Sequence, residues 1–262
     1  MDTTTPPRGA PAGWHFLGLP DASVVATHAL LATLDALADL FEQRAMMCVY
    51  GDTGSGKTLA VRASLATLAP EATCYLELRS RPDPAALSHE LHRVLGLPGQ
   101  PPRRHVQIDA QLSQALSAQV RVLVCEDAQL LTAGALRYLS SLWDDEHPDV
   151  AIVLIGTGRS PGMLCSQPEL ASRVHTWIRF TAMTEREVLQ AIPVFHPVWR
   201  DAEAALLLFG DAYARGNFRR WAALTGHVLN VLKASGRVSP STSRLCVSPS
   251  RGSARRRSEQ TP

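Results

Sequence analysis

Lysine is nearly missing from this 262-residue chain: of 26 basic residues only Lys57 and Lys233 are lysines. Aromatic residues are also scarce, at 6%, and no stretch approaches the roughly 18 consecutive apolar residues that a membrane helix needs. The start, MDTTTPPRG, lacks the charged-then-apolar order of a secretory signal. Five cysteines, Cys48, Cys74, Cys125, Cys165 and Cys246, are odd in number and form no CxxC pair, which speaks against a disulfide framework and a zinc knuckle. The expectation is a cytoplasmic protein in a reducing compartment, with no membrane partner.

What is present fits a globular chain: 45% hydrophobic and 19% charged residues suit one large domain, or one with a small satellite. The net charge of +2 is unevenly spread. Residues 237–262 hold six arginines against the single acid Glu259, so this tail carries +5 and the remaining 236 residues carry −3. Attraction to nucleic acid must therefore come from the tail or from local arginine clusters.

Residues 1–20 hold four prolines and three glycines without apolar periodicity, and read as an extended arm. Over 21–45, leucines recur at 30, 31, 34, 37 and 40 opposite Asp35, Asp39 and Glu42, the pattern of an amphipathic helix. The run 46–50 predicts a strand, 57–68 a helix, and 73–78 a strand. Asp83 and Pro84 open another helix, which stops at Gly96 before a loop rich in proline and arginine. Then come a helix over 106–118, buried strands at 120–125 and 150–155, a helix over 132–143 between them, and a last strand ending at Phe180. Strands alternating with helices imply a parallel sheet covered on both faces. Beyond it lie helical patterns at 184–192, 201–213 and 217–234, the first carrying a capping box from Thr184 and Glu187. The expected division is an arm at 1–20, an α/β domain at 21–180, a small all-helical domain at 181–236, and a disordered tail at 237–262 rich in serine, arginine and proline.

The phosphate chemistry starts at GDTGSGKT: Gly51, Asp52, Thr53, Gly54, Ser55, Gly56, Lys57 and Thr58 fit GxxxxGK[ST] between a predicted strand and a predicted helix. The glycines let backbone N–H groups turn inward around phosphate oxygens. Lys57 reaches the terminal phosphates, and the Thr58 hydroxyl binds Mg2+. After the apolar run 122–125 come Glu126 and Asp127, acids at the carboxyl end of a buried parallel strand, beside the ligand crevice of an open sheet. One suits the magnesium water shell and the other an attacking water. The strand 150–155 leads to Gly156 and Thr157, a polar residue placed to sense a terminal phosphate or simply to make a turn. Arg173 precedes the last strand and Arg219 opens the final helix; each is a planar cation suited to phosphoryl charge, or a solvated surface residue.

In this order the residues resemble the AAA+ ATPases, with GDTGSGKT as Walker A, VLVCEDAQ as Walker B, Thr157 as sensor 1, Arg173 as arginine finger and Arg219 as sensor 2. The phrase EDAQLL, the compact size and the GNFR start of the last helix look like the TniB, TnsC and MuB group of transposition regulators. The resemblance covers about residues 21–235. It implies a P-loop AAA+ fold with a helical lid, and ATP and Mg2+ as ligands. It also implies a homo-oligomeric ring or helical filament on duplex DNA that recruits a transposase. The group's acidic order is DEAQ, whereas here the longer Glu126 precedes the shorter Asp127, so slow hydrolysis is expected.

Arg79 with Arg81, and Arg103 with Arg104, are the internal clusters best suited to DNA phosphates in such an assembly. His89 and His92 lie three apart on a predicted helix and read as a solvated face rather than a metal pair. Competing readings are an AAA+ ATPase of origin-recognition or secretion type, a signalling NTPase switch, and a small-molecule kinase. A secretion ATPase would carry a membrane anchor, a signalling switch further sensor domains, and a kinase an acceptor pocket.

Overall fold

A computed structural model describes residues 19–78, 81–144 and 149–235. Arg79, Cys246, nearly all of the expected arm and the whole basic tail lie outside the described residues. The sheet is built from β1 (Met46–Gly51), β2 (Thr73–Leu76), β3 (Arg121–Cys125), β4 (Val150–Gly156) and β5 (Val174–Phe180), all parallel, in the order β2-β3-β4-β1-β5. Strand β4 thus separates β1 from β3, with Leu154 opposite Cys48 on one side and Cys125 on the other. This order sets the end of β4 between the loops that follow β1 and β3.

The helices are α1 (His28–Gln43), α2 (Lys57–Leu68), α3 (Pro84–Val94), α4 (His105–Ser117), α5 (Ala133–Asp144), α6 (Ser160–Cys165), α7 (Pro168–Ala171), α8 (Glu185–Phe195), α9 (Ala204–Ala214) and α10 (Phe218–Ala234). Side-chain alternation in the strands sorts them into two layers. Met46, Cys48, Leu123, Cys125, Ile152 and Leu154 face a core completed by α3, α4 and α5, while Met47, Val49, Val122, Val124, Ala151 and Val153 face α1 and α2. Both faces are apolar because both are covered, which is why these strands read as continuous hydrophobic runs. Burial pushes the Cys48 and Cys125 thiols up to about 12, so they behave as small core residues.

Local chemistry sets the boundaries. Asp83 accepts from the Ala86 N–H at 2.7 Å with Pro84 in the first turn of α3, and Thr184 and Glu187 close their capping box on α8 at 3.3 and 2.8 Å. Helix α1 covers all the recurring leucines but starts at His28, not at the expected 21. Thr27 caps it through the Leu30 N–H, while Ser23 donates to the Phe195 carbonyl and the Pro20 carbonyl bonds the His196 ring, so 20–23 is tied to the end of α8 instead. On α3, His89 is exposed but His92 is buried, which corrects the solvated-face reading for His92.

The chain forms two compact units, Met1–Gly226 and His227–Pro262. The first includes the sheet with α8, α9 and the start of α10; in the second, the described backbone is the remainder of α10, closed by a Ser235-to-Val231 bond. No described helix is long and apolar enough to cross a membrane.

Candidate nucleotide site

Strand β1 ends in Gly51 at φ +146°, where a Cβ would collide with the Phe180 carbonyl of β5. The chain then turns through 52–56 into α2, whose N-cap, Gly56, has no side chain to satisfy the first-turn N–H groups. Those unsatisfied donors, at the positive end of the helix dipole, suit an anion. Lys57 Nζ donates to the carbonyls of Gly51 at 2.9 Å and Asp52 at 2.7 Å, while Ser55 Oγ donates to the Asp52 carbonyl at 2.8 Å. The lysine is thereby held across the mouth of its own loop. Burial lowers the Lys57 pKa below its ordinary 10.5; Asp52 opposes the shift, Arg219 adds to it and Asp127 opposes it. Asp52, Arg219 and Asp127 thus all act on the Lys57 ammonium. Thr58 follows in the first turn of α2, half-buried.

The start of α10 docks on this loop. Asn217 Nδ2 donates to the Thr53 carbonyl at 2.8 Å, its Oδ1 accepts from the Arg220 N–H at 3.2 Å, and the Arg219 N–H donates to the Gly54 carbonyl at 3.2 Å. One amide therefore caps the helix and holds the loop. Gly54, at φ +84°, permits the approach, since a Cβ there would lie 2.6 Å from Asn217 Oδ1 and 2.7 Å from Arg219 Cβ. Beside the loop, Val25, Leu30, Gly56, Leu59, Phe180 and Phe218 line an apolar pocket with Thr27 and Ser55 at its edge.

At the end of β3 the two acids diverge. Glu126 accepts from Arg62 Nε of α2 at 2.8 Å. Asp127, at φ +51°, takes the left-handed backbone that aspartate tolerates better than most residues, and its exposed carboxylate accepts from Gln129 Nε2 at 2.9 Å. Gln129 Oε1 in turn accepts from the Thr157 N–H at 3.2 Å, so a single side chain spans the ends of β3 and β4. Gly156 makes room for that bridge: a Cβ there would sit 3.3 Å from Gln129 Oε1 and would overlap Ser160 Oγ.

The structure therefore brings Asp52, Lys57 and Arg219 together at one loop, sets Asp127 within electrostatic reach of Lys57, and links Thr157 to Asp127 through Gln129. Other predicted residues lie elsewhere. Arg173 gives its fork to Asp144, Nε to Oδ1 at 2.8 Å and Nη2 to Oδ2 at 2.5 Å. Arg81 is exposed in the loop after β2, at the carboxyl end of that parallel strand, and Arg103 and Arg104 are exposed just before α4. Three residues escaped the sequence reading. Gln129 and Asn217 stand inside phrases already noted, EDAQ and GNFR, whereas nothing in the sequence marks Arg62, which the helical pattern leaves as an ordinary polar position.

These residues fit the phosphates of a nucleoside triphosphate: an uncapped helix start, a glycine-containing loop, and a lysine and an arginine beside it. They also fit Mg2+ in its usual role of sharing phosphate oxygens and water with few protein ligands. No group of three or more His, Cys, Asp or Glu side chains arranged for a metal occurs among the described residues, so Thr58 and one acid would serve an ion brought with phosphate.

A family model described as AAA domain matches residues 39–164. Among solved structures the chain is similar to the Orc1 protein of Aeropyrum pernix in complex with DNA, with a TM-score of 0.63 at 18% identity over 84% of this chain and 64% of that one. It is likewise similar to Cdc6p of Pyrobaculum aerophilum, with a TM-score of 0.64 at 17% identity over 85% and 66%. The RuvB Holliday junction branch migration motor of Thermotoga maritima follows, with a TM-score of 0.55 at 17% identity over 83% and 67%. This chain thus spans a little under two thirds of the first two. No curated protein matches it in sequence. Residues 39–164 thus match an AAA domain, and the five-stranded parallel sheet with helices on both faces matches the P-loop AAA+ fold.

Proposed function

We propose that this chain binds ATP with Mg2+, hydrolyses it slowly, and assembles on duplex DNA as a homo-oligomer, a ring or a helical filament, under nucleotide control. The observation that carries the reading is the seat of Asn217 and Arg219 on the Walker A loop. Phosphates entering that loop would meet Lys57 from one side and the start of α10 from the other, so nucleotide occupancy and the lid, residues 181–236, would move together. In this reading Thr58 and Glu126 serve the metal, Asp127 orients the attacking water, Thr157 senses the terminal phosphate and Arg219 faces the phosphates in cis. Arg173 would leave Asp144 to reach a neighbouring subunit's site.

The finer proposal is target selection in transposition, with a transposase as partner; the EDAQLL phrase and the GNFR lid start support it. A second reading, an origin-recognition type of AAA+ protein, is favoured by the likeness to Orc1 and Cdc6p. Sedimentation of the protein with duplex DNA, with and without a slowly hydrolysed ATP analogue, tests the shared part. Assembly that needs both ligands is expected, and Arg173→Ala should weaken assembly at least tenfold while leaving nucleotide affinity within about twofold. Sedimentation unaffected by nucleotide would overturn the proposal. Stimulation of a transposase encoded beside this chain separates the two finer readings.

A further inference from the structure

We propose that Gln129 is a positioning residue that couples the Asp127 carboxylate to the end of β4, so that the fit of the terminal phosphate at Thr157 sets the aim of the acid. The inference rests on the ATPase reading above and deepens it. It starts from a geometric fact: one amide satisfies two partners of opposite need. Its NH2 donates to Asp127 Oδ1 at 2.9 Å and its oxygen accepts from the Thr157 N–H at 3.2 Å. The amide orientation is fixed by those partners, because a carboxylate only accepts and a backbone N–H only donates.

The surroundings hold this bridge in place. Gln129 sits in a short 3-10 turn, Ala128–Leu130, locked by a Leu130-to-Asp127 backbone bond of 2.8 Å. Gly156 leaves open the space where its oxygen rests, and beyond it the Ser160 N–H donates to the Thr157 carbonyl at 3.0 Å, anchoring Thr157 to the start of α6. Asp127 itself stands in a left-handed backbone conformation at the start of that turn, and its carboxylate takes its side-chain hydrogen bond from Gln129. Gln129 is therefore its tether.

In hydrolysis, a water oxygen bonds to the γ-phosphorus while its proton passes to the Asp127 carboxylate. The bond to the bridging oxygen breaks, and that oxygen leaves on ADP with the electron pair. The water must lie in line with the leaving oxygen, so the acid's aim counts in fractions of an ångström. A shorter acid at this position has less reach, and its direction matters more. Any shift of Thr157 toward or away from phosphate draws on the same amide that holds Asp127, so phosphate fit and acid aim change together.

The test compares wild type with Gln129→Ala and Gln129→Glu, reading single-turnover hydrolysis of radiolabelled ATP, equilibrium affinity for a fluorescent ATP analogue, and thermal unfolding. Gln129→Glu keeps the acceptor for Thr157 but sets a like charge against Asp127. Both variants are expected to hydrolyse about 10- to 100-fold more slowly, with nucleotide affinity within about twofold and an unchanged unfolding midpoint. A variant Gln129→Ala with wild-type turnover overturns the inference, as does Gln129→Glu with wild-type turnover, or a parallel loss of affinity, turnover and stability. A wild type that fails to bind or hydrolyse ATP instead removes the ATPase reading itself, and this inference with it.

Discussion

The Arg62 guanidinium donates to Glu126 at 2.8 Å and lies over the Tyr75 ring, with its central carbon 4.7 Å from the ring centroid. An arginine from α2 thus joins the acid that follows β3 to an aromatic residue of β2. Both members of the ion pair are partly exposed, and pairs of that kind contribute about 0.2–1 kcal/mol. The same carboxylate is the one proposed to serve Mg2+, so guanidinium and metal compete for it. Arg62→Ala should therefore lower the Mg2+ concentration needed for half-maximal binding of a fluorescent ATP analogue by about 1.4- to 5-fold, the range that this pair energy implies. A titration midpoint equal to that of wild type would mean that Glu126 does not serve the metal.

Lys57 yields a prediction about pH. Burial lowers its pKa in the free protein, whereas phosphate charge placed against the ammonium raises it. Binding therefore takes up a proton whenever the pH lies above the free value and below the bound one. Linkage then requires nucleotide affinity to fall as pH rises through that window, which opens below the ordinary lysine value of 10.5. Isothermal titrations in buffers of different ionisation enthalpy would count the proton directly. Lys57→Ala should abolish both the uptake and most of the affinity, with the fold retained. Wild-type affinity in that variant would overturn the nucleotide assignment.

Much of this arrangement was legible before any coordinates, because periodicity and turn chemistry are local. The helix 57–68 matches α2 residue for residue, and the strand 121–125 falls within one residue of its expected start. The Walker A loop was visible because its glycines and lysine are consecutive. The strand order was not. Nothing in the apolar runs says that β4 inserts between β1 and β3, since each run only reports being covered on both faces. The side-chain bonds were hidden for a related reason: Arg62 and Glu126 are 64 positions apart, and Asn217 and Thr53 are 164 apart. Such partners are set by tertiary packing, and a polar residue on a helix shows only its exposure. The helix expected over 21–45 is shorter at its start, ahead of the first leucine, where hydrogen bonds to Phe195 and His196 claim the backbone at 20–23.

The last prediction concerns DNA and follows from the charge distribution. With −3 outside the tail, the body has no general attraction to phosphates, so binding depends on clusters that can reach the backbone of the duplex. Arg103 and Arg104 are both exposed, adjacent, and placed where the chain enters α4 without a side-chain cap that would occupy them. Each phosphate that such an arginine neutralises releases condensed counterions, and log affinity then falls with log salt by about 0.9 per contact. The tail, with six arginines of its own, would add a second and less specific term, so the comparison is made with residues 237–262 deleted as well as present. In both backgrounds ATP should promote binding to duplex DNA with little sequence preference. Arg103→Glu with Arg104→Glu should weaken it at low salt and flatten the slope by about one unit per lost contact. Filter binding across a salt series in the presence of ATP measures both quantities. A slope left unchanged by the double substitution would place the DNA contacts elsewhere. Absence of ATP-stimulated binding even at low salt would remove the DNA reading and leave an NTPase switch without DNA as the better account.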